Sequence, residues 1–209
     1  MPPGFSLSAT RTRVVLLVLI ALVHVGGMGG GVSRASAQKS KGQPPAAKSP
    51  ATKPASEVRY GTAGLPVPVL EMREAILAAA RSGRIEELKS AIELNEMKPT
   101  FGDGPVADPI GFLKQASADG EGREVLAALA NLLDAGYVAV PLGRDLENNR
   151  IYVWPYFAET GLANLTPAQE VELYRLVPPA AVKEMREKGR YGYWRVGIAA
   201  DGTWHVLSR

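Results

Sequence analysis

The sequence predicts an α+β fold in which a helical first part packs with a small antiparallel sheet made of two β-hairpins. Apolar residues recur at helical spacing between residues 66 and 136. The period then changes to two in residues 137–142 and 150–157, which a polar loop joins. Because helices and hairpins follow in blocks instead of alternating one by one, we expect helices on one face of an antiparallel sheet.

The first helices are predicted as a helix hairpin followed by two more helices. Residues 66–83 and 84–95 each carry one apolar face, and Gly83 separates them. Asp108 and Pro109 supply an N-cap and a first helical residue for the third helix. The fourth helix has the clearest apolar stripe and stops before Gly136; the stripe consists of Val125, Leu129, Leu132 and Leu133.

Two further helices are predicted before the last hairpin. Thr166 and Gln169 have the spacing of a capping box around Pro167, and a second helix runs from Pro179 to about Gly189. Asp201-Gly202 is typical of a two-residue hairpin loop. That loop would set Trp204 opposite Ala199.

The same register would place His205 opposite Ile198, among Val196 and Leu207. Trp204 would then lie on the other face of the hairpin, where Gly197 leaves room for the indole. We therefore expect His205 to be a structural, hydrogen-bonded histidine.

Residues 1–37 have the layout of a secretory signal peptide. Arg11 and Arg13 precede an apolar run over residues 14–25, and Ala35 and Ala37 form an A-x-A cleavage pattern. The run is too short and too rich in glycine for a membrane span. We expect cleavage after Ala37, a mature chain without a transmembrane segment, and a periplasmic or secreted location.

Residues 38–57 are predicted to be a disordered Pro/Ala/Lys linker, because they offer almost no apolar surface to bury. Residues 58–209 then form a single α+β domain. Residues 57–209 hold 17 basic and 21 acidic side chains, a net charge of −4. This sign argues against nucleic-acid binding, which relies on a basic surface.

Few residues suit catalysis or metal binding. The chain has no cysteine, which excludes disulfides, and His205 is its only histidine after the signal peptide. We therefore expect no metal site, and no nucleotide-binding motif predicts a cofactor. Whether the protein is an enzyme stays open, although a non-catalytic role is favoured. The alternative is an envelope glycan hydrolase that uses a carboxylate pair beside aromatic subsites, drawn from Asp145, Glu147, Glu159 and Asp201.

Aromatic residues concentrate in the last third of the chain, where nine of 14 lie between Tyr152 and Trp204. Alternation in residues 152–156 puts three of them on one face of a strand. Such a face either fills the core or lines a ligand groove. The candidate binding residues are Tyr152, Trp154, Tyr156, Tyr193 and Trp204.

Three segments, "YVWPYFAE", "LTPAQEVELYRLV" and "DGTWH", resemble small exported proteins of Gram-negative bacteria that have no assigned function. The last hairpin is also similar to those of SH3-like and NTF2-like domains. The first resemblance implies export and a non-catalytic role, and it supplies no functional residues. The resulting hypothesis is a binding or interaction module of the cell envelope, with peptidoglycan or another envelope protein as partner.

Overall fold

Five strands form one mixed sheet in the order β1-β5-β4-β3-β2 in a computed structural model of the chain. The strands are β1 (Thr100–Phe101), β2 (Val138–Leu142), β3 (Asp145–Trp154), β4 (Arg195–Ala199) and β5 (Trp204–Ser208). Neighbouring strands are antiparallel except β1, which runs parallel to β5.

The structure describes residues 57–209, except residue 144 and the side chains of residues 145–148. These residues belong to one compact unit of the chain. The predicted signal peptide, its cleavage site at Ala35 and Ala37, and the linker before Glu57 lie outside the described residues. No helix within residues 57–209 combines the length and apolarity needed to cross a membrane.

Seven α-helices and one 3₁₀ turn (Ile85–Glu87) accompany the sheet in the described part of the chain. The helices are α1 (Val67–Ser82), α2 (Leu88–Glu93), α3 (Pro109–Ala116), α4 (Arg123–Asp134), α5 (Phe157–Thr160), α6 (Pro167–Leu176) and α7 (Pro179–Lys188). The mixed helix and sheet content agrees with the predicted class. The prediction of a purely antiparallel sheet was wrong, because β1 runs parallel to β5. With only two residues, β1 is too short to show a period in the sequence.

Helix boundaries follow the predicted capping residues. The Asp108 carboxylate accepts a hydrogen bond from the Gly111 N–H at 3.0 Å, at the start of α3. Thr166 and Gln169 form both hydrogen bonds of a capping box at the start of α6. Gly83 and Gly189 end α1 and α7 with φ of 70° and 66°, values that favour glycine.

The hairpin of β4 and β5 contains a bulge that the sequence did not predict. The Ala199 N–H donates to Thr203 O, and Gly202 has φ of 91°, so the loop has three residues and not two. Trp204 pairs with Ile198 and Val206 pairs with Gly197, which leaves His205 as the extra residue of β5.

This bulge decides which face of the sheet Trp204 occupies. Without it, Trp204 would share a face with Val206 and Ser208, because side chains alternate along a strand. With it, Trp204 shares a face with Leu207. We call this side the covered face, since α1 and α4 pack on β4 there; it comprises Phe101, Val196, Ile198, Trp204 and Leu207.

Aromatic rings fill the core. Trp204 is fully buried and meets Phe101 edge-on, with ring centroids 5.6 Å apart. Tyr137 lies between Tyr152 and Trp154, at 6.0 and 5.0 Å between centroids. These contacts join β1, β3 and β5 through one apolar interior.

Asn95 connects the end of α2 to the bulged strand. Its side-chain amide donates to Ala91 O at 2.9 Å and Ile92 O at 3.2 Å. Its side-chain oxygen accepts a hydrogen bond from the backbone N–H of Trp204 at 2.7 Å. One amide therefore satisfies the last carbonyls of a helix and the backbone donor beside the bulge.

A second polar cluster holds the start of the described chain. The Glu172 carboxylate of α6 accepts hydrogen bonds from Gly136 N–H at 2.8 Å and from the hydroxyls of Tyr60 and Tyr156 at 3.0 and 3.2 Å. Arg59 pairs with Tyr137 through two backbone hydrogen bonds. Burial raises the pKa of Tyr156 well above its ordinary value, so this phenol stays protonated as a donor.

Asn95→Ala is expected to destabilise the fold by about 2 kcal/mol, because the backbone N–H of Trp204 loses its hydrogen-bond acceptor inside the protein. Asn131→Ala, at an exposed position of α4, should change stability by less than about 0.5 kcal/mol. Urea denaturation of both variants measures the difference. Equal midpoints for Asn95→Ala and the unmodified protein would contradict the role of this amide.

Alkaline pH is expected to destabilise the protein through its buried phenols. The raised pKa of Tyr156 means that its contribution is fully present below the unfolded pKa of about 10 and is lost as pH rises further. Tyr156→Phe should therefore show a smaller loss of stability than the unmodified protein between roughly pH 9 and 11. Tyr174→Phe, at an exposed position, is the control and should keep the original pH dependence.

Candidate functional site

A cleft of about 640 Å³ lies between α7 and the face of the sheet opposite the covered face. We call this second side the cleft face; it comprises Thr100, Arg195, Gly197, Val206 and Ser208. The cleft itself is lined by residues of β1, β4, β5, α5 and α7, by the segment 190–193, and by Arg209. It holds four cationic side chains, whereas the groove described below holds three acidic ones.

Strand pairing sets the floor of the cleft. Thr100 lies opposite Val206, and Arg195 lies opposite Ser208. The Arg195 Nε–H donates to Ser208 Oγ at 3.0 Å, which orients the guanidinium and leaves its terminal NH₂ groups available. The terminal NH₂ groups of Arg195 can therefore bind a ligand while its Nε stays bonded to Ser208.

The segment after α7 forms one rim and is held by its own contacts. The Arg190 N–H donates to Met185 O at 3.2 Å, and the Gly192 N–H donates to the Met185 sulfur at 3.0 Å. The Tyr191 hydroxyl donates to Trp194 O at 2.8 Å. These bonds tie the backbone of the rim to the end of α7 and hold the Tyr191 ring in place.

Positive charge predominates in the cleft although the domain as a whole is acidic. Four cationic residues line it against two acidic ones; the cations are Lys188, Arg190, Arg195 and Arg209. Lys188 pairs with Glu184 at 2.5 Å. The three arginines make no salt bridge with any residue that the structure describes. Like charges in a concave site raise the local concentration of ligands of opposite charge.

Two tyrosines complete the lining of the cleft. Burial raises the pKa of Tyr191 and of Tyr193, so both are neutral phenols at neutral pH. Tyr191 also stacks on Phe157, with ring centroids 6.2 Å apart. A neutral aromatic wall beside arginines suits a ligand that combines negative charge with an apolar or sugar surface.

Of the five aromatic residues proposed from the sequence, only Tyr193 lines this cleft. The other four are at least nine-tenths buried and belong to the core: Tyr152, Trp154, Tyr156 and Trp204. Of the two alternatives that the alternation left open, these four residues therefore follow the first and fill the core. The bulge at His205 turns Trp204 inwards, and helices cover the face that Tyr152 and Trp154 share.

The two candidate carboxylates whose side chains the structure describes, Glu159 and Asp201, do not line the cleft. Asp201 lines a second groove of about 700 Å³, together with Glu71 and Glu96, and Glu159 lies in α5 and lines neither concavity. The Thr203 N–H donates to Asp201 at 2.9 Å and lowers the pKa of that carboxyl. The side chains of Asp145 and Glu147 lie outside the described residues.

His205 differs from its expected setting. It is the bulged residue, half-buried, and lines the second groove near Asp201. Within the described chain its ring makes no hydrogen bond, so the predicted hydrogen bond was wrong, while the structural role of this histidine stays a prediction. Its predicted neighbour Ile198 instead faces Trp204.

Residues suited to metal binding are not clustered. Among residues 57–209 as described, no three side chains of the His, Asp or Glu type come together in a way that could hold an ion. The arginine-lined cleft offers donors and cations, which suit an anionic organic ligand better than a metal.

The cationic residues of the cleft were missed at the sequence level. Lys188, Arg190 and Arg195 lie within the segment "KGRYGYWR", where basic and aromatic residues interleave. This local pattern indicates a basic surface, whereas the net charge of −4 describes only the domain as a whole. Arg209 could not be placed, because only the parallel β1–β5 pairing brings its strand end to Gly102.

Comparison with family models, with curated proteins and with solved structures gives no significant match over this chain. The suggested resemblance to small exported proteins therefore stays a prediction. The site must be interpreted from its own geometry.

His205→Ala is expected to change the free energy of unfolding by less than about 1 kcal/mol, because no hydrogen bond of its ring is lost. Trp204→Ala should cost about 3–5 kcal/mol, since it empties a fully buried indole site. Thermal denaturation of both variants gives the comparison. A loss of stability for His205→Ala similar to that for Trp204→Ala would show that the ring is structural after all.

Proposed function

We propose that this protein is a non-catalytic binding module of the cell envelope that holds an anionic ligand in its basic cleft. The observation that carries the proposal is a set of three arginines, Arg190, Arg195 and Arg209, which surround one concavity beside Tyr191 and Tyr193 and make no salt bridge with any described residue. Other exposed arginines of the described chain pair with carboxylates, such as Arg59, Arg81 and Arg175. Three that lack them in one cleft favour a partner supplied from outside.

The signal-peptide pattern of residues 1–37 supports an envelope location for this ligand. Peptidoglycan combines carboxylate-bearing peptides with sugar rings, and these match the arginines and the tyrosines. We therefore favour peptidoglycan over an acidic surface of another envelope protein. The separation of Asp201 from the aromatic rim gives the hydrolase alternative no comparable support.

The double variant Arg190→Glu/Arg195→Glu is expected to weaken co-sedimentation with purified sacculi at least ten-fold. Each charge-assisted hydrogen bond contributes roughly 1.5–3 kcal/mol, and about 1.4 kcal/mol corresponds to a factor of ten. The control Arg81→Glu/Arg175→Glu makes the same change of net charge at exposed positions outside the cleft. It should bind sacculi like the unmodified protein.

Two results would contradict the proposal. One is equal loss of binding in both double variants, which would indicate a general charge effect. The other is binding to a DNA duplex with the same affinity and the same dependence on the cleft arginines, which would assign the cleft to phosphates. The affinity of the unmodified protein for sacculi is expected to fall as salt is added, because the proposed contacts are ionic.

A further inference from the structure

A small cavity of about 270 Å³ lies next to the basic cleft. Its lining combines apolar residues with two donors of hydrogen bonds and the indole of Trp194; these residues are Gly102, Phe112, Gln115, Ala116, Trp194 and Arg209. Gly102 and Arg209 also line the cleft. A ligand in the cleft therefore has a side chamber within reach.

Trp194 is unusual among the buried residues. Its side chain is 2% exposed, and its Nε1–H is the only buried side-chain donor or acceptor without a hydrogen-bond partner in the described part of the chain. Trp204, in the same sheet, donates its Nε1–H to Val206 O at 3.1 Å. An unpaired buried donor costs roughly 1–3 kcal/mol, so proteins rarely keep one without a reason.

Arg209 supplies the second group that lacks a partner. Its guanidinium carbon lies 5.3 Å from the centroid of the Trp194 ring, in a cation–π contact. The side chain is exposed and makes no salt bridge with a described residue. Trp194 and Arg209 both line the cavity. A carboxylate there can pair with Arg209 directly, and it can accept the Trp194 Nε1–H once the surrounding side chains move apart, since that atom is covered in this structure.

The rest of the lining restricts what can carry that carboxylate. Phe112 and Ala116 present apolar surface, and the Gln115 amide offers a further donor. The absence of a side chain at Gly102 lets Phe112 approach closely, since a Cβ there would lie 2.9 Å from its ring. The chamber thus suits a short apolar group that ends in a carboxylate.

We infer that this cavity is a subsite for the free C-terminal carboxylate of a peptide that ends in a small apolar residue such as alanine. The carboxylate pairs with Arg209, which turns from the indole ring towards it, and accepts the Trp194 Nε1–H. The terminal methyl group packs on Phe112 and Ala116. This inference rests on the proposed function and names the part of the anionic ligand that the cleft holds.

The test follows the indole N–H signals of the full chain by ¹H–¹⁵N NMR during titration with N-acetyl-alanyl-alanine. The Trp194 signal should shift downfield as its N–H gains an acceptor, while the already bonded Trp204 signal stays in place. The dipeptide amide, which lacks the carboxylate, should leave Trp194 unchanged. Arg209→Gln should weaken the peptide at least ten-fold, and Arg81→Gln should not.

A Trp194 signal that does not move, with sacculi still bound through Arg190 and Arg195, would overturn the subsite and leave the proposed function intact. Peptide binding without any binding of sacculi would overturn the proposed function and support the subsite. An equal response to the acid and the amide would overturn the assignment to a carboxylate. Unchanged affinity in Arg209→Gln would remove Arg209 from the site.

Discussion

One extra residue in β5 organises much of this molecule. Because His205 is bulged out of the pairing, Trp204 and Leu207 lie on the same face although they are three positions apart. The largest side chain of the hairpin thereby joins the core beside Phe101, and the opposite face is left with small and aliphatic residues such as Val206 and Ser208. A regular strand would put an indole into the floor of the cleft. The amide of Asn95 fixes the arrangement, since it supplies the acceptor that the Trp204 N–H needs next to the bulge.

The two faces of the sheet consequently differ in how far helices cover them. The covered face is sealed by α1 and α4 and carries the interlocked aromatic rings. The cleft face is only partly covered, by α7 and the rim at residues 190–193, and it keeps its polar groups accessible. The buried core and the proposed binding site thus lie on opposite sides of the same strands. In the proposed complex, Arg195 is already oriented by Ser208 and would need little reorganisation, whereas Arg209 would have to turn away from the Trp194 ring.

Local signals were sufficient for the capped helices α3 and α6, but they did not predict the short helix α5 or the complete sheet. The capping residues Asp108, Thr166 and Gln169 are read within a few positions, so the starts of α3 and α6 could be predicted. The length of the loop at Asp201-Gly202 depends on the pairing of β4 with β5. The two-residue loop predicted from Asp-Gly and the observed three-residue loop with a bulge at His205 differ in that pairing, and the local sequence did not distinguish them. The short β1 is defined only by its distant partner β5. For the candidate site, Tyr193 could be named from the aromatic pattern, whereas Arg209 enters only through that long-range pairing.

The β4–β5 hairpin also separates charge along its length. Arg195, Ser208 and Arg209 stand at the end that opens into the basic cleft, while the loop with Asp201 stands at the other end, in the groove that holds Glu71 and Glu96. The domain therefore carries a permanent electric asymmetry along one hairpin in addition to its net negative charge. In the electric field of an anionic polymer, such a molecule experiences a torque before it contacts the polymer. The repelled acidic end turns away, and the first collisions are biased towards the arginine-lined end.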